Sequence, residues 1–144
     1  MVELNVLGYS GREPAPDHLG MIWPALEMVG EMTIGDVRAR VASGTAQIWV
    51  VQEDGIDLAV ALTEMVDYPR LSALRVIAIG GADMASWQGE LYDSMVRFCQ
   101  QEKLRRIEMV CRPGLEKIMK PLGFEKKLIC MLKEVPDGKG SRCN

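Results

Sequence analysis

The order of apolar and polar residues along the chain predicts alternating strands and helices. Residues Glu3–Tyr9 alternate weakly and carry valine and leucine, which is typical of a strand. Asp17 is placed to cap a helix that runs to about Val29, with Pro24 at a bend or break. A second helix follows, because Thr33-Ile34-Gly35-Asp36 has the spacing of a capping box.

The middle of the chain changes to the two-residue period of strands. Apolar runs flank Asp54-Gly55, a turn sequence that favours positive φ at both central positions, so a β-hairpin is predicted. Leu71 to Ile79 is an almost continuous apolar run, as expected of a central strand that is buried on both faces. It ends at Gly80-Gly81, where we expect a sharp corner.

The C-terminal half is predicted to continue as helix, strand, helix and strand. Apolar residues at spacings of three and four predict a long amphipathic helix from about Asp83 to Glu102. Arg106 to Cys111 is the fifth predicted strand, a short helix ends at Gly123, and Phe124 to Glu134 is the last predicted strand. The stripe that the long helix should bury consists of Trp87, Leu91, Met95 and Phe98.

This order of elements predicts an α+β fold, with a mixed, mostly antiparallel sheet that is flanked by helices. A chain of 144 residues is long enough to bury one compact core without a metal or a disulfide. We therefore expect one domain over residues 1–135. Residues 136–144 are rich in glycine and charge, and we expect them to form a flexible tail.

Composition and charge argue against two classes of partner. The 17 basic and 20 acidic residues give a net charge of −3, so no overall field attracts nucleic acid, and the basic residues of the C-terminal third are better explained as a solvated face. No apolar run approaches the roughly 20 residues that span a bilayer, so no membrane partner is expected. The apolar hairpin leaves a sheet edge that a second copy, in a homodimer, could cover.

Cysteine and histidine usage predicts no metal site. The four cysteines have no C-x-x-C spacing, and His18 is the one histidine of the chain. The first ten residues lack the basic and apolar regions of a secretory signal. We therefore expect a cytoplasmic location, where thiols stay reduced.

Over nearly the whole chain, the element order resembles that of the GCN5-related N-acetyltransferase superfamily. The sequence is most similar in Ile48 to Glu53, Leu58 to Pro69 and Cys111 to Phe124. It also resembles a phage or prophage branch of that superfamily, in which several short motifs recur. Here these motifs are Trp23-Pro24, Ile48-Trp49-Val50, Thr63-Glu64, Tyr68-Pro69 and Arg112-Pro113-Gly114.

The resemblance implies acetyl-CoA as the cofactor and an amine as the acceptor substrate. Members of the superfamily bind acetyl-CoA in a wedge where the fourth and fifth strands separate, with the pyrophosphate on N–H groups at the start of the next helix. Here the wedge would lie between Leu74–Ile79 and Ile107–Cys111. The implied cofactor-binding residues are Ile77, Ala78, Ile79, Gly80, Gly81, Ala82 and Asp83.

The cofactor loop departs from the superfamily pattern at several positions. Ile77 stands where Gln or Arg is usual, and no Lys or Arg lies between Gly80 and Glu90, so a pyrophosphate would meet carboxylates. Asp83 is more simply the N-cap of its own helix. Met119 stands where many members carry a tyrosine that protonates the leaving thiolate.

Five residues are candidates for the proton transfers. Glu64, near the end of the third strand, is the first candidate general base and Asp67 is the second, although both positions also suit solvated carboxylates beside a turn. Cys111 is a candidate for the missing proton donor, with Tyr68 and Tyr92 as alternatives.

The sequence leaves two main functions open. The first is an N-acetyltransferase that moves the acetyl group of acetyl-CoA to an amine, with Glu64 as base. The second is a catalytically inactive protein of the same fold with a structural or interaction role, encoded by a phage or prophage, and a phage structural protein would be associated with the virion. A nucleic-acid-binding module that uses the basic residues between Lys103 and Lys127 ranks below both.

Overall fold

The computed structural model describes residues 3–111 and 114–136 and has an α+β architecture. By contacts, the chain divides into two compact units, Met1–Val110 and Cys111–Asn144. The strands of the first unit are β1 (Leu4–Tyr9), β2 (Ala46–Glu53), β3 (Ile56–Asp67), β4 (Ser72–Gly81) and β5 (Arg106–Met109). Its helices are α1 (Pro16–Val29), α2 (Ile34–Ser43) and α3 (Met84–Glu102).

The five strands form one sheet in chain order, from β1 at one edge to β5 at the other. β1, β2, β3 and β4 pair antiparallel, and β4 pairs parallel with β5 through the connection that contains α3. The α+β fold with a mixed, mostly antiparallel sheet flanked by helices is therefore confirmed. The predicted fifth strand is shorter than expected, since β5 ends at Met109 rather than Cys111.

Local sequence signals account for the hairpin and for α2. Asp54 and Gly55 have φ values of 50° and 84°, as a two-residue turn with positive φ at both positions requires. Thr33 Oγ1 accepts from the Asp36 N–H at 3.1 Å, and Asp36 Oδ2 accepts from the Thr33 N–H at 2.9 Å. The predicted hairpin and capping box are both confirmed.

Helix α1 begins two residues earlier than the sequence suggested. Ala15 is its N-cap and Pro16 takes the first helical position, where proline's fixed φ suits the helix and its missing N–H costs no hydrogen bond. Asp17 lies in the first turn instead of capping it. The helix does not break at Pro24 but continues to Val29. Gly30, with a φ of 72°, is its C-cap.

The sheet carries a buried apolar layer on each face. On one face α1 and α2 pack against the sheet in a cluster that contains Leu19, Ile22, Leu26, Val37, Val41, Ile48, Val50, Val60, Leu62 and Ala78. In α3, the predicted stripe is fully buried at Trp87, Leu91 and Met95. Phe98 is half-buried, and its ring meets Trp49 edge-on with centroids 5.4 Å apart. The predicted stripe is confirmed except for the full burial of Phe98.

The second unit contains α4 (Glu116–Met119) and a 3-10 turn (Lys120–Leu122) that ends at Gly123. The prediction of a last strand from Phe124 to Glu134 is wrong, because residues 124–136 form neither helix nor strand. Strand-forming residues need a paired edge, and the sequence pattern does not supply one. Arg112-Pro113 and the predicted tail beyond Pro136 lie outside the described residues. Among the described helices, none has the length and apolar character to cross a membrane.

Candidate functional site

Strands β4 and β5 are paired along only part of β4. Their parallel pairing runs from Ala73 opposite Arg106 to Val76 opposite Met109. Beyond Val76, β4 continues for five more residues to Gly81, whereas β5 ends at Met109. The last part of β4 therefore pairs with β3 on one side and leaves its other side unpaired with β5.

A β-bulge lies where the two strands part. Leu62 of β3 pairs with Ala78 and the next residue, Thr63, pairs with Val76, so Ile77 is an extra residue in β4. A bulge bends its strand, interrupts the ladder and redirects main-chain groups. Ile77 stands where the superfamily usually has Gln or Arg. As the bulged residue, it affects the end of β4 through its backbone.

The two glycines at the end of β4 are needed for packing within the protein. A Cβ on Gly80 would overlap the Met21 carbonyl oxygen and lie 2.8 Å from its carbonyl carbon, so the backbone of α1 rests directly on β4. Gly81 has φ of 148°, and a Cβ there would lie 2.5 Å from the Leu58 carbonyl oxygen. The family resemblance implies that both glycines bind the cofactor, but the neighbours that require a residue without a side chain here are α1 and β3.

The turn from β4 into α3 is held by carbonyl groups rather than by the side chain of Asp83. Asp83 occupies the N-cap position with φ of 55°, and its side chain makes no capping hydrogen bond. Its carbonyl oxygen accepts from the Ser86 N–H at 2.9 Å and from Ser86 Oγ at 2.7 Å. Trp87 donates from Nε1 to the Ala82 carbonyl at 2.6 Å. The prediction that Asp83 is the N-cap of its helix is therefore confirmed for its position, its side chain does not make the capping bond, and the residue is exposed.

The first candidate base, Glu64, is engaged by two arginines. Glu64 Oε2 lies 3.2 Å from a terminal nitrogen of Arg40, and Oε1 lies 3.6 Å from a terminal nitrogen of Arg75. Only 15% of the Glu64 side chain is exposed. Asp67 is exposed at the end of β3 and accepts from Ser72 Oγ at 2.6 Å. Neither carboxylate is therefore free of partners.

A residue that the sequence analysis missed, Glu108, links β5 to β4 and to the turn between β3 and β4. Its Oε1 accepts from the Tyr68 hydroxyl at 2.6 Å and from Arg75 Nε at 3.2 Å. Burial would raise the pKa of Glu108, but hydrogen bonds from Tyr68, Arg75 and Arg106 lower it overall. Burial would likewise lower the pKa of Arg75, and its bonds to Tyr68 and Glu108 raise it overall.

The proton-donor candidates lie in different environments. Tyr68 is part of the Glu108 cluster, and Tyr92 is buried on α3. Cys111 is an exposed free thiol in the second unit. Met119, where the superfamily often has tyrosine, is buried. The structure thus places Tyr68 in a hydrogen-bond network with a carboxylate and an arginine.

Two further polar clusters lie on opposite faces of the sheet. On the α1 side, His18 bonds through Nδ1 to the Tyr9 hydroxyl at 2.9 Å and through Nε2 to Asp57 at 3.0 Å, and so ties α1 to two strands. On the α3 side, Trp49 donates to Thr63 Oγ1 at 2.8 Å, and Thr63 donates to Gln47 at 2.9 Å. Within residues 3–111 and 114–136, no three metal-binding side chains converge.

Comparison with known proteins identifies the fold. No protein-family model matches the sequence, and no curated protein matches it. Among solved structures, a predicted acetyltransferase with acetyl-CoA from Clostridium acetobutylicum matches with a TM-score of 0.68 at 12% identity, over 92% of this chain and 96% of that one. A ribosomal-protein-alanine N-acetyltransferase from Brucella melitensis biovar Abortus 2308 matches with a TM-score of 0.69 at 10% identity, over 93% and 100%.

An aminoglycoside acetyltransferase from an uncultured soil metagenomic sample, in complex with sisomicin, gives a TM-score of 0.69 at 7% identity, over 92% of this chain and 97% of that one. The chain therefore has the fold of the GCN5-related acetyltransferases. At these identities, the likeness is one of fold, so the reaction has to be argued from the residues of this chain.

Proposed function

We propose that this protein is an N-acetyltransferase of the GCN5-related superfamily, which moves the acetyl group of acetyl-CoA to an amine. The observation that carries the proposal is the unpaired edge of β4 after Val76, which begins with the bulge at Ile77 and leads into the N-terminus of α3. The likeness to an acetyltransferase described with acetyl-CoA supports it. The phage or prophage origin implied by the sequence motifs remains part of this proposal.

The main chain of β4 and α3 offers acetyl-CoA the groups it needs. Those main-chain N–H and C=O groups of Ile77, Ala78 and Ile79 that point away from β3 suit the amide-containing arm of the cofactor, as an added strand suits a sheet edge. The Ser86 N–H is bonded to the Asp83 carbonyl, so the N–H groups of Met84 and Ala85 at the start of α3 are the ones that suit the pyrophosphate. Gly80, Gly81 and Ala82 connect these two parts, and the exposed carboxylate of Asp83 weakens anion binding.

The side chains near this edge supply acid–base groups. Acetyl transfer requires the amine to lose a proton, and Glu64 is the general base that we assign, with Asp67 as the second choice. Both oxygens of Glu64 already contact arginines, so the incoming amine has to compete with two guanidinium groups for this carboxylate. Cys111 stays our candidate for protonating the leaving thiolate, since Met119 has no proton to give.

A catalytically inactive protein with the same fold is the second candidate function. Three observations favour it: the two arginines on Glu64, the exposed carboxylate of Asp83 and the methionine at position 119. Such a protein would keep the fold and serve a structural or interaction role. The two candidates differ in cofactor binding and in turnover, so one set of measurements separates them.

Binding of acetyl-CoA, followed by thermal unfolding and calorimetry, is the first test. A hundredfold excess over the dissociation constant should stabilise the protein by about 3 kcal/mol. Asp83→Asn should tighten binding several-fold by removing the like charge, whereas Asp93→Asn, which removes an exposed charge farther along α3, should not. Absence of stabilisation at millimolar acetyl-CoA would refute the proposal.

Turnover is the second test, measured as release of the CoA thiol in the presence of a panel of amines. Glu64→Gln should lower kcat without a matching change in acetyl-CoA binding. Glu53→Gln, a change at a half-buried carboxylate of β2, serves as the control and should leave kcat unchanged. Cofactor binding without thiol release from any amine would instead support the inactive alternative.

A further inference from the structure

A cavity of about 440 Å³ lies between α3 and the strands β1 and β2, and the proposed reaction does not use it. All the residues that line it belong to the first unit. Its volume is in the range of ligand pockets, about 300–1,000 Å³. Ser94, in its wall, lies ten residues beyond Met84, which corresponds to about 15 Å along α3. The cavity is therefore separate from the edge of β4 that we assign to acetyl-CoA.

A chain of hydrogen bonds determines which group of Gln47 is available in this cavity. The Trp49 indole N–H can only donate, and it donates to Thr63 Oγ1 at 2.8 Å. Thr63 then donates its one hydroxyl proton to Gln47 Oε1 at 2.9 Å. Gln47 Nε2 has no hydrogen-bond partner within residues 3–111 and 114–136. Because Gln47 lines the cavity and is only 5% exposed, the cavity has an unpaired amide donor at a buried position.

The charge in the cavity is positive. Arg97 lines it from an exposed position on α3, and none of the described residues in its wall is acidic. The Arg97 guanidinium donates to Ser94 Oγ at 3.0 Å and contacts no carboxylate in the part of the chain that the structure describes. Since the Ser94 hydroxyl accepts from Arg97, its own proton can be donated to a ligand. A carboxylate suits such a set of donors, because charge-assisted hydrogen bonds are the stronger ones.

Another part of the cavity wall is aromatic. Trp49 and Phe98 both line it, and their rings meet edge-on. Gly8 pairs with Trp49 across β1 and β2, and a Cβ on Gly8 would lie 3.5 Å from Cε3 of the Trp49 ring. The φ of Gly8 is not positive, so the backbone does not require glycine at this position. What the missing side chain provides is room for a ligand beside the Trp49 ring.

We propose that this cavity binds a small aromatic carboxylate. The carboxylate accepts hydrogen bonds from Gln47 Nε2 and from the Arg97 guanidinium, and the aromatic body packs against Trp49 and Phe98 in the space beside Gly8. An apolar wall with a few well-placed polar groups is the usual composition of a small-molecule site. The proposal requires neither acetyl-CoA binding nor catalysis, so it stands or fails separately from the acetyltransferase assignment.

The first test is a titration of the full chain with naphthylacetate, followed by proton–nitrogen NMR spectra. We expect saturable shifts of the Gln47 side-chain amide and of the Trp49 indole N–H, with the indole signals of Trp23 and Trp87 unchanged. The neutral analogue naphthylacetamide should bind about tenfold more weakly, because it forms no charge-assisted hydrogen bond with Arg97. Absence of saturable shifts at millimolar naphthylacetate, or equal affinity for the acid and the amide, would overturn the proposal.

The second test removes the polar groups one at a time. Arg97→Gln should weaken naphthylacetate binding about tenfold. Arg70→Gln is the matched control, because it removes the charge of an exposed arginine that does not line the cavity, and it should bind like the native chain. Gln47→Glu keeps an acceptor for Thr63 but replaces the amide donor with a carboxylate, so binding should be lost. Native affinity in Arg97→Gln, or an equal loss in Arg70→Gln, would contradict the assigned role of Arg97 and overturn the proposal.

The third test fills the cavity. Gly8→Leu should abolish naphthylacetate binding, because the new side chain occupies the space beside Trp49. The variant should still fold, since the nearest atom to an added Cβ lies at an ordinary contact distance of 3.5 Å. Gly20→Leu, in α1 with no atom within 4 Å of an added Cβ, is the control and should bind like the native chain. A folded Gly8→Leu variant with native affinity would place the ligand elsewhere and overturn the proposal.

Discussion

Replacement of Gly80 by alanine tests the packing of α1 on β4. Gly80 pairs with Val60 in the sheet and faces α1. An added Cβ would overlap the Met21 carbonyl oxygen, lie 2.8 Å from the Met21 carbonyl carbon and lie 3.3 Å from Ile22 Cα. All three are main-chain atoms, so no side chain can rotate to make room. Either α1 or β4 has to move.

The displacement and its cost can be estimated from these distances. Carbon atoms in contact lie about 3.5–4.0 Å apart, so the Met21 carbonyl carbon alone requires a shift of about 1 Å, and the closer overlap with its oxygen requires more. That helix buries Leu19, Ile22 and Leu26 in the core, and overpacking of a well-packed core costs about 1–3 kcal/mol. Alanine lowers the conformational entropy of the unfolded chain relative to glycine. This raises the free energy of unfolding by about 0.4–1 kcal/mol where alanine can adopt the native backbone conformation. The net expectation is a loss of about 1–2 kcal/mol.

Urea unfolding followed by tryptophan fluorescence measures this loss. With a slope of about 1–3 kcal/mol per molar urea, the midpoint should fall by roughly 1 M at an unchanged slope. Gly89→Ala is the matched control, because Gly89 lies in the interior of α3 with no atom within 4 Å of an added Cβ. It should raise stability by about 0.5–1 kcal/mol. A Gly80→Ala variant as stable as the native protein would refute the packing argument.

Two other substitutions test the polar clusters. Thr63→Val should cost about 2–4 kcal/mol in urea unfolding, because it leaves the Trp49 indole N–H and the Gln47 carbonyl without their buried partner; a loss below 1 kcal/mol would contradict this. The lowered pKa of Glu108 means that its contribution to stability is present above the ordinary value of 4.5 and is lost as the pH falls through the lower native value. Glu108→Gln should therefore lose less stability than the native chain on acidification below pH 4.5, and equal losses would contradict the role of the Tyr68 and arginine bonds.

The sequence predicted those features of the fold that depend on neighbouring residues. The hairpin at Asp54-Gly55 follows from two residues that tolerate positive φ, and the start of α2 follows from the reciprocal bonds of Thr33 and Asp36. Burial of the α3 stripe follows from helical spacing. These signals are local, so the chain does not need its tertiary context to display them.

Features that depend on pairing between distant segments could not be predicted. Arg75 meets Glu108 because β4 and β5 pair in one particular register, and no residue in either strand specifies that register alone. The predicted last strand shows the opposite case, since the pattern of Phe124 to Glu134 indicates a strand but residues 124–136 form neither helix nor strand. A sequence pattern indicates the propensity of a segment, whereas strand pairing also depends on residues far away along the chain.

The packing of the two glycines changes how acetyl-CoA would have to bind. The space beside Gly80 and Gly81 that a side chain would occupy is taken by the backbone of α1 and β3. That space is therefore not available to a phosphate. The groups left for the cofactor are the unpaired main-chain edge that begins at Ile77 and the N–H groups at the start of α3. Without a basic side chain between Gly80 and Glu90, the affinity then depends on the charge of Asp83 more than on the glycines. Weak binding of acetyl-CoA that becomes tighter in the Asp83→Asn variant would agree with this arrangement. An affinity that depends mainly on the two glycines would contradict it.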